Sequence, residues 1–276
     1  MAKSALLTVM ERAARKAGRG LTRDFGEVER LQVSTKGPSD FVSDADRRAE
    51  ERIYEVLQEA RPTWGFLGEE GGEIKGKDKQ HRWIVDPLDG TTNFLHGMPH
   101  FAVSIGLERD GEMVAGLVYN PISDDMFSAE KGQGAFLNDK RLRVAARRRL
   151  SDSVIVNGMP HLGRGDHALF LREVATMMRK VAGLRRMGAA ALDLCWVAAG
   201  RLDGYWEAGL SPWDMAAGLL IVREAGGITR DTMGGTAIFD TGSVVAGNDL
   251  IVGQILKVLG EARQAQAKLA NAKKGA

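Results

Sequence analysis

The stretch WIVDPLDGTTNF, Trp83–Phe94, predicts both a core strand and the chemistry at its end. Its apolar start, Trp83 to Val85, is typical of a strand that runs into a hydrophobic core, yet the run ends in two carboxylates, Asp86 and Asp89. An unpaired carboxylate in such a place carries a large desolvation cost. The sequence therefore predicts a compensating partner at the end of this strand.

Oxygen donors can converge at this point. Pro87 fixes φ and lacks an amide hydrogen, so the two aspartates and the Leu88 carbonyl can turn toward one centre. With no histidine or cysteine among them, such ligands suit a hard cation such as Mg²⁺. Gly90, Thr91 and Thr92 follow with amides and hydroxyls that would cradle a phosphate if a helix begins there. Metal, phosphate and a positioned water are sufficient for phosphoester hydrolysis.

Further acidic segments stand at the edges of predicted elements: Asp46, the pair Glu69-Glu70, and Asp214. Asp46 and Asp214 could each occupy the first turn of a helix, where the helix dipole favours an anion. The glutamates could belong to a solvated loop. Each segment alone is therefore weak evidence for a site.

The composition is that of a globular protein of ordinary charge. The 276 residues, 44% of them hydrophobic, can bury a large core and show no linker or repeat, which predicts a single unit over 1–276 with approximate halves 1–150 and 151–276. With 38 basic and 36 acidic residues, the net charge of +2 implies no strong bulk attraction to nucleic acid or membrane. The start of the chain lacks a long uncharged apolar stretch, so we expect a cytoplasmic protein.

Hydrophobic periodicity predicts helices at both ends of the chain and strands between them. The predicted helices run from Leu6 to about Gly18–Gly20, from Ser43 to Arg61, and over 167–181, 189–199, 213–224 and 250–273. The predicted strands are WIVD, a hairpin that turns at Asp110-Gly111, and segments at 125–129, around Phe136, 154–157 and 204–207, while 67–72 is predicted as a loop. This order predicts stacked layers of helices and sheets, of the α/β (α+β) class.

Other catalytic motifs are absent or weak. The sequence has no Gly-x-Ser-x-Gly elbow and no Gly-x-x-x-x-Gly-Lys-Ser/Thr loop, so neither a serine hydrolase nor a P-loop protein is indicated. His96 and His100 flank a proline and lack the glutamate of a zinc helix motif, which disfavours a metal role for them. The basic clusters at 147–149 and 273–274 are typical of solvated surface, although nucleic acid or a partner protein could use them.

The acidic motifs, taken in order, resemble those of the inositol monophosphatase-like phosphatases, a family that depends on Mg²⁺ and is sensitive to lithium. The resemblance rests on GEE at 68–70, DPLDGTTNF at 86–94 and PWDMAAG at 212–218, and extends through DFVSDAD and GAAALDLCWVAAGRLDGYWE. It implies a bacterial-type member with a layered αβαβα sandwich, as in inositol monophosphatase and fructose-1,6-bisphosphatase. It also implies a homodimer.

The resemblance assigns two or three Mg²⁺ ions to the acidic residues. The first site would use Glu69, Asp86 and the Leu88 carbonyl. The second would use Asp86, Asp89 and Asp214, and Glu69 would also hold a third, loosely bound ion. The metal and Thr91 would activate the attacking water, with the Thr91 hydroxyl held by Asp46, so that the implied catalytic residues are Thr91, Asp46 and Glu69.

The resemblance also implies a set of substrate-facing residues: Leu88, Asp89, Gly90, Thr91, Arg185, Arg186, Gly188, Ala190, Glu207 and Asp214. Within it, Gly90 and Thr91 would cradle the phosphate, and Glu207 would face the alcohol portion. The sequence does not decide whether Arg185 or Arg186 points inward. Ala189 stands where some animal relatives carry a hydroxyl residue, so that side-chain contact is missing here.

The implied function is hydrolysis of myo-inositol 1-phosphate and related inositol or polyol phosphates. Related families with the same metal motifs act on fructose 1,6-bisphosphate, histidinol phosphate or 3′-phosphoadenosine compounds. A haloacid dehalogenase-like phosphatase is a further alternative, but the spacing of Asp86 and Asp89 is one residue too long for its Asp-x-Asp-Gly-Thr motif. An alternative of another class is a binding partner of the transcription machinery, as is known for some bacterial members.

Overall fold

The structure is a computed structural model that describes residues 4–26, 33–37, 40–160, 163 and 165–274. Its helices are α1 (Ala5–Phe25), α2 (Asp44–Ala60), α3 (Thr91–Leu95), α4 (His167–Met177), α5 (Ala190–Ala198), α6 (Pro212–Glu224), α7 (Ile238–Thr241) and α8 (Asp249–Lys274). Its strands are β1 (Val33–Gly37), β2 (Asp40–Ser43), β3 (Gly65–Gly68), β4 (Gly72–Ile74), β5 (His81–Asp89), β6 (Ala102–Arg109), β7 (Glu112–Asn120), β8 (Asp125–Glu130), β9 (Gly134–Leu137), β10 (Lys140–Arg141), β11 (Val154–Asn157), β12 (Gly183–Arg185), β13 (Gly204–Ala208), β14 (Ile228–Arg230) and β15 (Ser243–Gly247).

The strands form two large sheets and one small hairpin. The first sheet has eight strands in the order β10-β9-β8-β7-β6-β5-β3-β4, and the second has five in the order β12-β11-β13-β15-β14. The hairpin pairs β1 with β2. In the first sheet β3 runs parallel to β5, whereas β6 pairs with β5 antiparallel, so β5 lies between the two partners that build the site.

Helices cover both sheets and fill the space between them. The pair α1 and α2 packs on the outer face of the eight-stranded sheet. The pair α5 and α6 lies between the sheets, and α4 and α8 cover the outer face of the five-stranded sheet. The order helix, sheet, helix, sheet, helix confirms the predicted αβαβα sandwich.

The alternation of side chains along β5 shows how the strand separates two cores. Trp83 and Val85 are buried against the α1–α2 layer, while Ile84 is buried in the central core with α5 and α6. Because successive side chains point to opposite faces, a strand buried on both faces reads as a continuous apolar run. This is why the run from Trp83 to Val85 has no polar residue.

Glycines on β6 and β7 let α6 approach the sheet closely. A methyl group on Gly106 would lie 3.0 Å from the Ala216 side chain, and one on Gly116 would lie 2.8 Å from the Ala217 carbonyl oxygen. A hydrogen bond also holds the start of α6 against the sheet: the Ser104 hydroxyl of β6 donates to the Trp213 carbonyl at 3.4 Å.

The first helix is longer than predicted. We expected α1 to end near Gly18–Gly20, but it continues to Phe25. Both glycines are buried, and a methyl group on Gly18 would lie 2.7 Å from the Tyr119 ring. These glycines therefore serve close packing against other elements rather than helix termination, which a local rule cannot distinguish.

Several strands were not predicted. The expected loop 67–72 is in part strand, because β3 and β4 flank a short turn there. The strands β12, β14 and β15 were also missed, although β15 is buried in the middle of the second sheet. The second helix begins at Asp44, one residue after the expected start, and the side chain of the expected cap Ser43 lies outside the described residues.

Candidate active site

An irregularity at the end of β5 turns both aspartates to one face of the sheet. Asp86 pairs with Ser104 of β6 and Asp89 pairs with Ala102, so two residues of β5 lie opposite one residue of β6. Residues three apart on a regular strand point to opposite faces, and the extra residue of a bulge removes that offset. Both aspartates therefore face the central helix layer.

Backbone amides hold these two carboxylates. One oxygen of Asp86 accepts a hydrogen bond of 2.9 Å from the Leu88 amide. The two oxygens of Asp89 accept bonds of 3.1 and 2.8 Å from the amides of Ala190 and Ala191, at the start of α5. Asp89 thus joins the first half of the chain to the second.

Glu69 reaches the same place from the neighbouring strand. Its position directly follows β3, whose last residue Gly68 pairs in parallel with Val85. The Glu69 amide donates a hydrogen bond of 3.2 Å to the Val85 carbonyl, which places Glu69 beside Asp86. The parallel pairing of β3 with β5 therefore brings together two residues that are distant in sequence.

Asp214 comes from the first turn of α6. One of its oxygens accepts a hydrogen bond of 2.7 Å from the amide of Ser211, the residue before the helix. This bond is part of a capping box, and Pro212 follows as the first helical residue. The predicted role of Asp214 as a helix-start residue is therefore correct, and it does not exclude a role in the site.

Burial and nearby negative charges raise the pKa values of Asp86, Asp89 and Asp214. The pKa of Asp86 lies well above its ordinary value, first because the group is buried and then because Glu69, Asp89 and Asp214 lie nearby. Burial also raises the pKa of Asp89 well above its usual range, with a further contribution from Asp214. For Asp214 itself, burial raises the pKa to about 7. The charges that act most strongly on Asp86 are therefore all negative.

This donor set fits a hard divalent cation. It supplies only oxygen, and a bound cation would offset the burial and repulsion that raise the pKa values. Among the residues that the structure describes, no three acidic, histidine or cysteine side chains already converge as a metal shell. The amide bonds described above leave further lone pairs on each carboxylate, and a cation would use these.

The segment after Asp89 has the form expected of a phosphate cradle. A short helix, α3, begins at Thr91, and Gly90 before it has φ of 94°, a conformation that favours glycine. A methyl group on Gly90 would also lie 3.1 Å from the Ala189 side chain. The Thr91 hydroxyl donates a hydrogen bond of 3.0 Å to the Leu88 carbonyl. This hydrogen bond joins the Thr91 side chain to the carbonyl that is predicted to hold metal.

Asp46 lies in the first turn of α2 and is 3% exposed. The expected position at a helix start is correct. Its predicted contact with Thr91 stays a prediction.

On the second half of the chain, Glu207 is the central acidic group. The Tyr205 hydroxyl donates to one of its oxygens at 2.5 Å, and burial raises the pKa of Glu207 to about 7. The negative charge of Asp193 raises that pKa further, whereas the positive charge of Arg186 lowers it. Gly188 has φ of 87°, so its backbone conformation favours glycine.

The two neighbouring arginines differ in their surroundings. The positive charge of Arg186 acts on the carboxyls of Glu207 and Asp193. Arg185 instead donates a hydrogen bond of 2.8 Å to the carbonyl of its own neighbour, Leu184. The structure therefore brings Arg186 to the acidic groups of the site.

Sequence reasoning missed three residues that connect the halves of the site. The Asn93 side chain donates hydrogen bonds of 2.7 and 2.9 Å to the carbonyls of His100 and Met187. The His100 ring lies 3.2 Å from the carboxylate of Asp193 on α5. Burial lowers the pKa of His100 to about 4 and raises that of Asp193 well above its usual range. The available signal was Asp193 itself, the single charge in the apolar stretch AALDLCWVA.

The layered fold and the carboxylates gathered at a strand end are those of a class of phosphatases, and comparisons with known proteins agree. Residues 2–271 match the inositol monophosphatase family. An inositol-1-monophosphatase of Mesorhizobium japonicum is 62% identical over 94% of this chain and 97% of that protein. The Nus factor SuhB of Escherichia coli is 42% identical over 91% of this chain and 94% of that protein.

A solved structure is similarly close. The crystal structure of the extragenic suppressor protein suhB from Bartonella henselae superposes with a TM-score of 0.91 at 59% identity, covering 93% of this chain and 98% of that chain. This chain belongs to the inositol monophosphatase family. The assignment confirms the resemblance carried by the three acidic motifs and sets aside the haloacid dehalogenase-like alternative.

Proposed function

We propose that this protein is a Mg²⁺-dependent phosphomonoesterase that hydrolyses myo-inositol 1-phosphate and related inositol or polyol phosphates. The observation that carries the proposal is the group of four carboxylates, Glu69, Asp86, Asp89 and Asp214, in which Asp86 and Asp89 are buried and the negative charges of the other three raise the pKa of Asp86. Relatives more than half identical to this chain carry the name inositol-1-monophosphatase, which favours the same substrate.

These four carboxylates, with the Leu88 carbonyl, form what we call the metal side of the site. Glu69, Asp86 and Leu88 would hold one ion, and Asp86, Asp89 and Asp214 a second, with Glu69 also near a third. When bound, Mg²⁺ would polarise the phosphoryl oxygens and lower the pKa of the attacking water.

The chain's own residues would position the reactants. The Thr91 hydroxyl donates its one hydrogen to the Leu88 carbonyl. Once that carbonyl holds metal, the hydroxyl would donate to Asp46 instead, and its oxygen would accept a hydrogen bond from the water. The amides of Gly90 and Thr91 would bind phosphate oxygens, because amides in this arrangement favour an anion. Burial of the strand end would exclude bulk water from the reacting group.

A second group of residues, Arg185, Arg186, Gly188, Ala190 and Glu207, forms what we call the alcohol side of the site. Glu207 would accept hydrogen bonds from ring hydroxyls of a polyol. Arg186 is the better candidate for the substrate-side arginine, since its charge acts on Glu207. Ala190 would contribute through its backbone, because its amide already contacts Asp89.

Substrate profiling tests this proposal. We expect Mg²⁺-dependent release of phosphate from myo-inositol 1-phosphate, and slower release from fructose 1,6-bisphosphate, histidinol phosphate and 3′-phosphoadenosine 5′-phosphate. Strong turnover of one of these other esters without turnover of inositol 1-phosphate would move the proposal to that substrate. No phosphate release from any of them would contradict it.

A second function, association with the transcription machinery, is favoured by one observation. The relatives named Nus factor SuhB are 42–43% identical to this chain over more than nine tenths of its length. We propose this as an additional role for a homodimer in the cytoplasm. Among the described residues, no helix is long and apolar enough to cross a membrane. A pull-down of RNA polymerase with the wild type and with a catalytically inactive variant would separate binding from hydrolysis. If neither protein associates with RNA polymerase, the second role is contradicted.

A further inference from the structure

The turn that carries Glu69 is held by a buried glutamate on another element. Glu50 of α2 is 7% exposed. One of its carboxylate oxygens accepts a hydrogen bond of 2.9 Å from the Glu70 amide, and the other accepts one of 2.6 Å from the Gly71 amide. Hydrogen bonds from amides to a carboxylate are shorter and stronger than neutral ones.

Glu50 therefore holds the part of the turn that follows Glu69. The Glu69 amide is bound to the Val85 carbonyl of β5, and the next two amides are bound to Glu50. With three consecutive amides held, the backbone at Glu69 has little freedom to rotate. Its side chain consequently leaves the backbone in one direction, beside Asp86, on whose pKa it acts.

The glycines of the motif make room for this carboxylate. A methyl group on Gly68 would collide with the Glu50 carboxylate, and one on Gly71 would lie 2.8 Å from one of its oxygens. The sequence GEEGG around Glu69 thus has a physical reason: its first and fourth residues must lack side chains so that Glu50 can reach the amides. Asp46 lies one helical turn earlier than Glu50 on α2, which places both residues on the same side of that helix.

We propose that Glu50 is a positioning residue for the metal side of the site, which orients Glu69 for Mg²⁺ through the amides of the turn. The inference rests on the proposed function. Residues that orient metal ligands from outside the coordination shell typically change metal affinity about 10–100-fold when they are replaced. Glu50 acts on backbone amides rather than on the ligand side chain, so we expect the lower end of that range.

The test is a Mg²⁺ titration of metal-free protein by calorimetry, for the wild type and for Glu50→Gln. A glutamine offers one acceptor oxygen where the glutamate offers two, so one amide loses its partner. We expect Mg²⁺ binding to weaken by about tenfold. Saturating Mg²⁺ should restore most of kcat, because the ligands themselves remain. Glu51→Gln is the matched control, since it removes the same charge from the adjacent, exposed position of α2 and should leave Mg²⁺ affinity within about twofold.

A second variant keeps all charges. Gly71→Ala pushes a methyl group against the Glu50 carboxylate at an exposed turn, and it should weaken Mg²⁺ binding in the same direction. Its control is Gly253→Ala, an exposed glycine of α8 whose methyl group would meet no neighbour. Should Glu50→Gln fail to fold by circular dichroism, Gly71→Ala supplies the decisive measurement.

The outcomes separate this inference from the function on which it rests. Wild-type Mg²⁺ affinity in folded Glu50→Gln and in Gly71→Ala would overturn the positioning role while leaving the proposed function intact. Wild-type protein that binds no Mg²⁺ and releases no phosphate would overturn both. A weakened affinity in both variants, with both controls unchanged, supports the inference.

Discussion

The metal side and the alcohol side of the site are built differently. On the metal side, carboxylates from the turn after β3, from β5 and from α6 are fixed by backbone amides and by the strand register. On the alcohol side, the two exposed arginines lie at the end of a half-buried three-residue strand and directly after it, and Glu207 is bound to a tyrosine hydroxyl. Rigid backbone contacts suit a reaction centre that must not change, whereas side-chain contacts can vary with the substrate. We therefore expect mutations on the metal side to abolish turnover and mutations on the alcohol side to alter selectivity.

The largest effect is expected for Asp89→Asn on the metal side. The change removes a ligand charge, and it leaves one α5 amide with a neutral acceptor and the other with none. We expect kcat/KM for inositol 1-phosphate to fall by more than about 100-fold. This exceeds the effect typical of residues that only orient a metal ligand. The control is Asp110→Asn, which removes a charge from an exposed hairpin turn and should retain full activity. Near-normal turnover by Asp89→Asn would contradict the metal assignment.

A smaller effect is expected for Glu207→Gln on the alcohol side. Glutamine still accepts the Tyr205 hydrogen bond but binds ring hydroxyls less strongly than a carboxylate. We expect kcat/KM for inositol 1-phosphate to fall by about tenfold, equivalent to about 1.4 kcal/mol. Phenyl phosphate, which has no polyol hydroxyls, serves as the matched substrate and should be almost unaffected. An equal loss on both substrates would show that Glu207 acts on the common phosphoryl chemistry instead.

The smallest effect is expected from the two arginines, which form a matched pair. Arg186→Ala should raise KM for inositol 1-phosphate by about fivefold, the size of an exposed charge interaction of about 1 kcal/mol. Arg185→Ala should change KM by less than about twofold, because the Arg185 side chain bonds to the carbonyl of Leu184. Steady-state kinetics of the two variants give the two KM values. A larger rise in KM for Arg185→Ala than for Arg186→Ala would make Arg185 the substrate-side arginine.

Sequence reasoning succeeded where the determining interactions are local. Pro87 and the apolar run before Asp86 predict the strand end. The helix predicted over 213–224, with Asp214 in its first turn, is α6, which begins one residue earlier at Pro212. The bulge that turns Asp86 and Asp89 to one face depends on pairing with β6, so the sequence alone could not give it. Residues 67–68 at the end of β3 were predicted as part of a loop, because the partner β5 lies beyond another strand and β3 contains two glycines.

The residues that sequence reasoning missed act through tertiary contacts. Glu50 occupies a polar position of an amphipathic helix and has the pattern of a solvated residue, yet it is buried against the turn after β3. Asn93 stands inside a recognised motif, but its role depends on the carbonyls of His100 and Met187, which a sequence does not place beside it. Such contacts can be inferred only once the layers of the sandwich are assembled.

The most direct test of the account is the position of the metal. Crystals soaked in Mn²⁺, a scatterer that takes the same oxygen ligands as Mg²⁺, should give anomalous difference peaks at the end of β5. The account predicts peaks within about 2.6 Å of carboxylate oxygens of Asp86, with Asp89 and Asp214 on one ion and Glu69 on another. Peaks that lie only elsewhere in the molecule, or no peak beside Asp86 in fully soaked crystals, would contradict it.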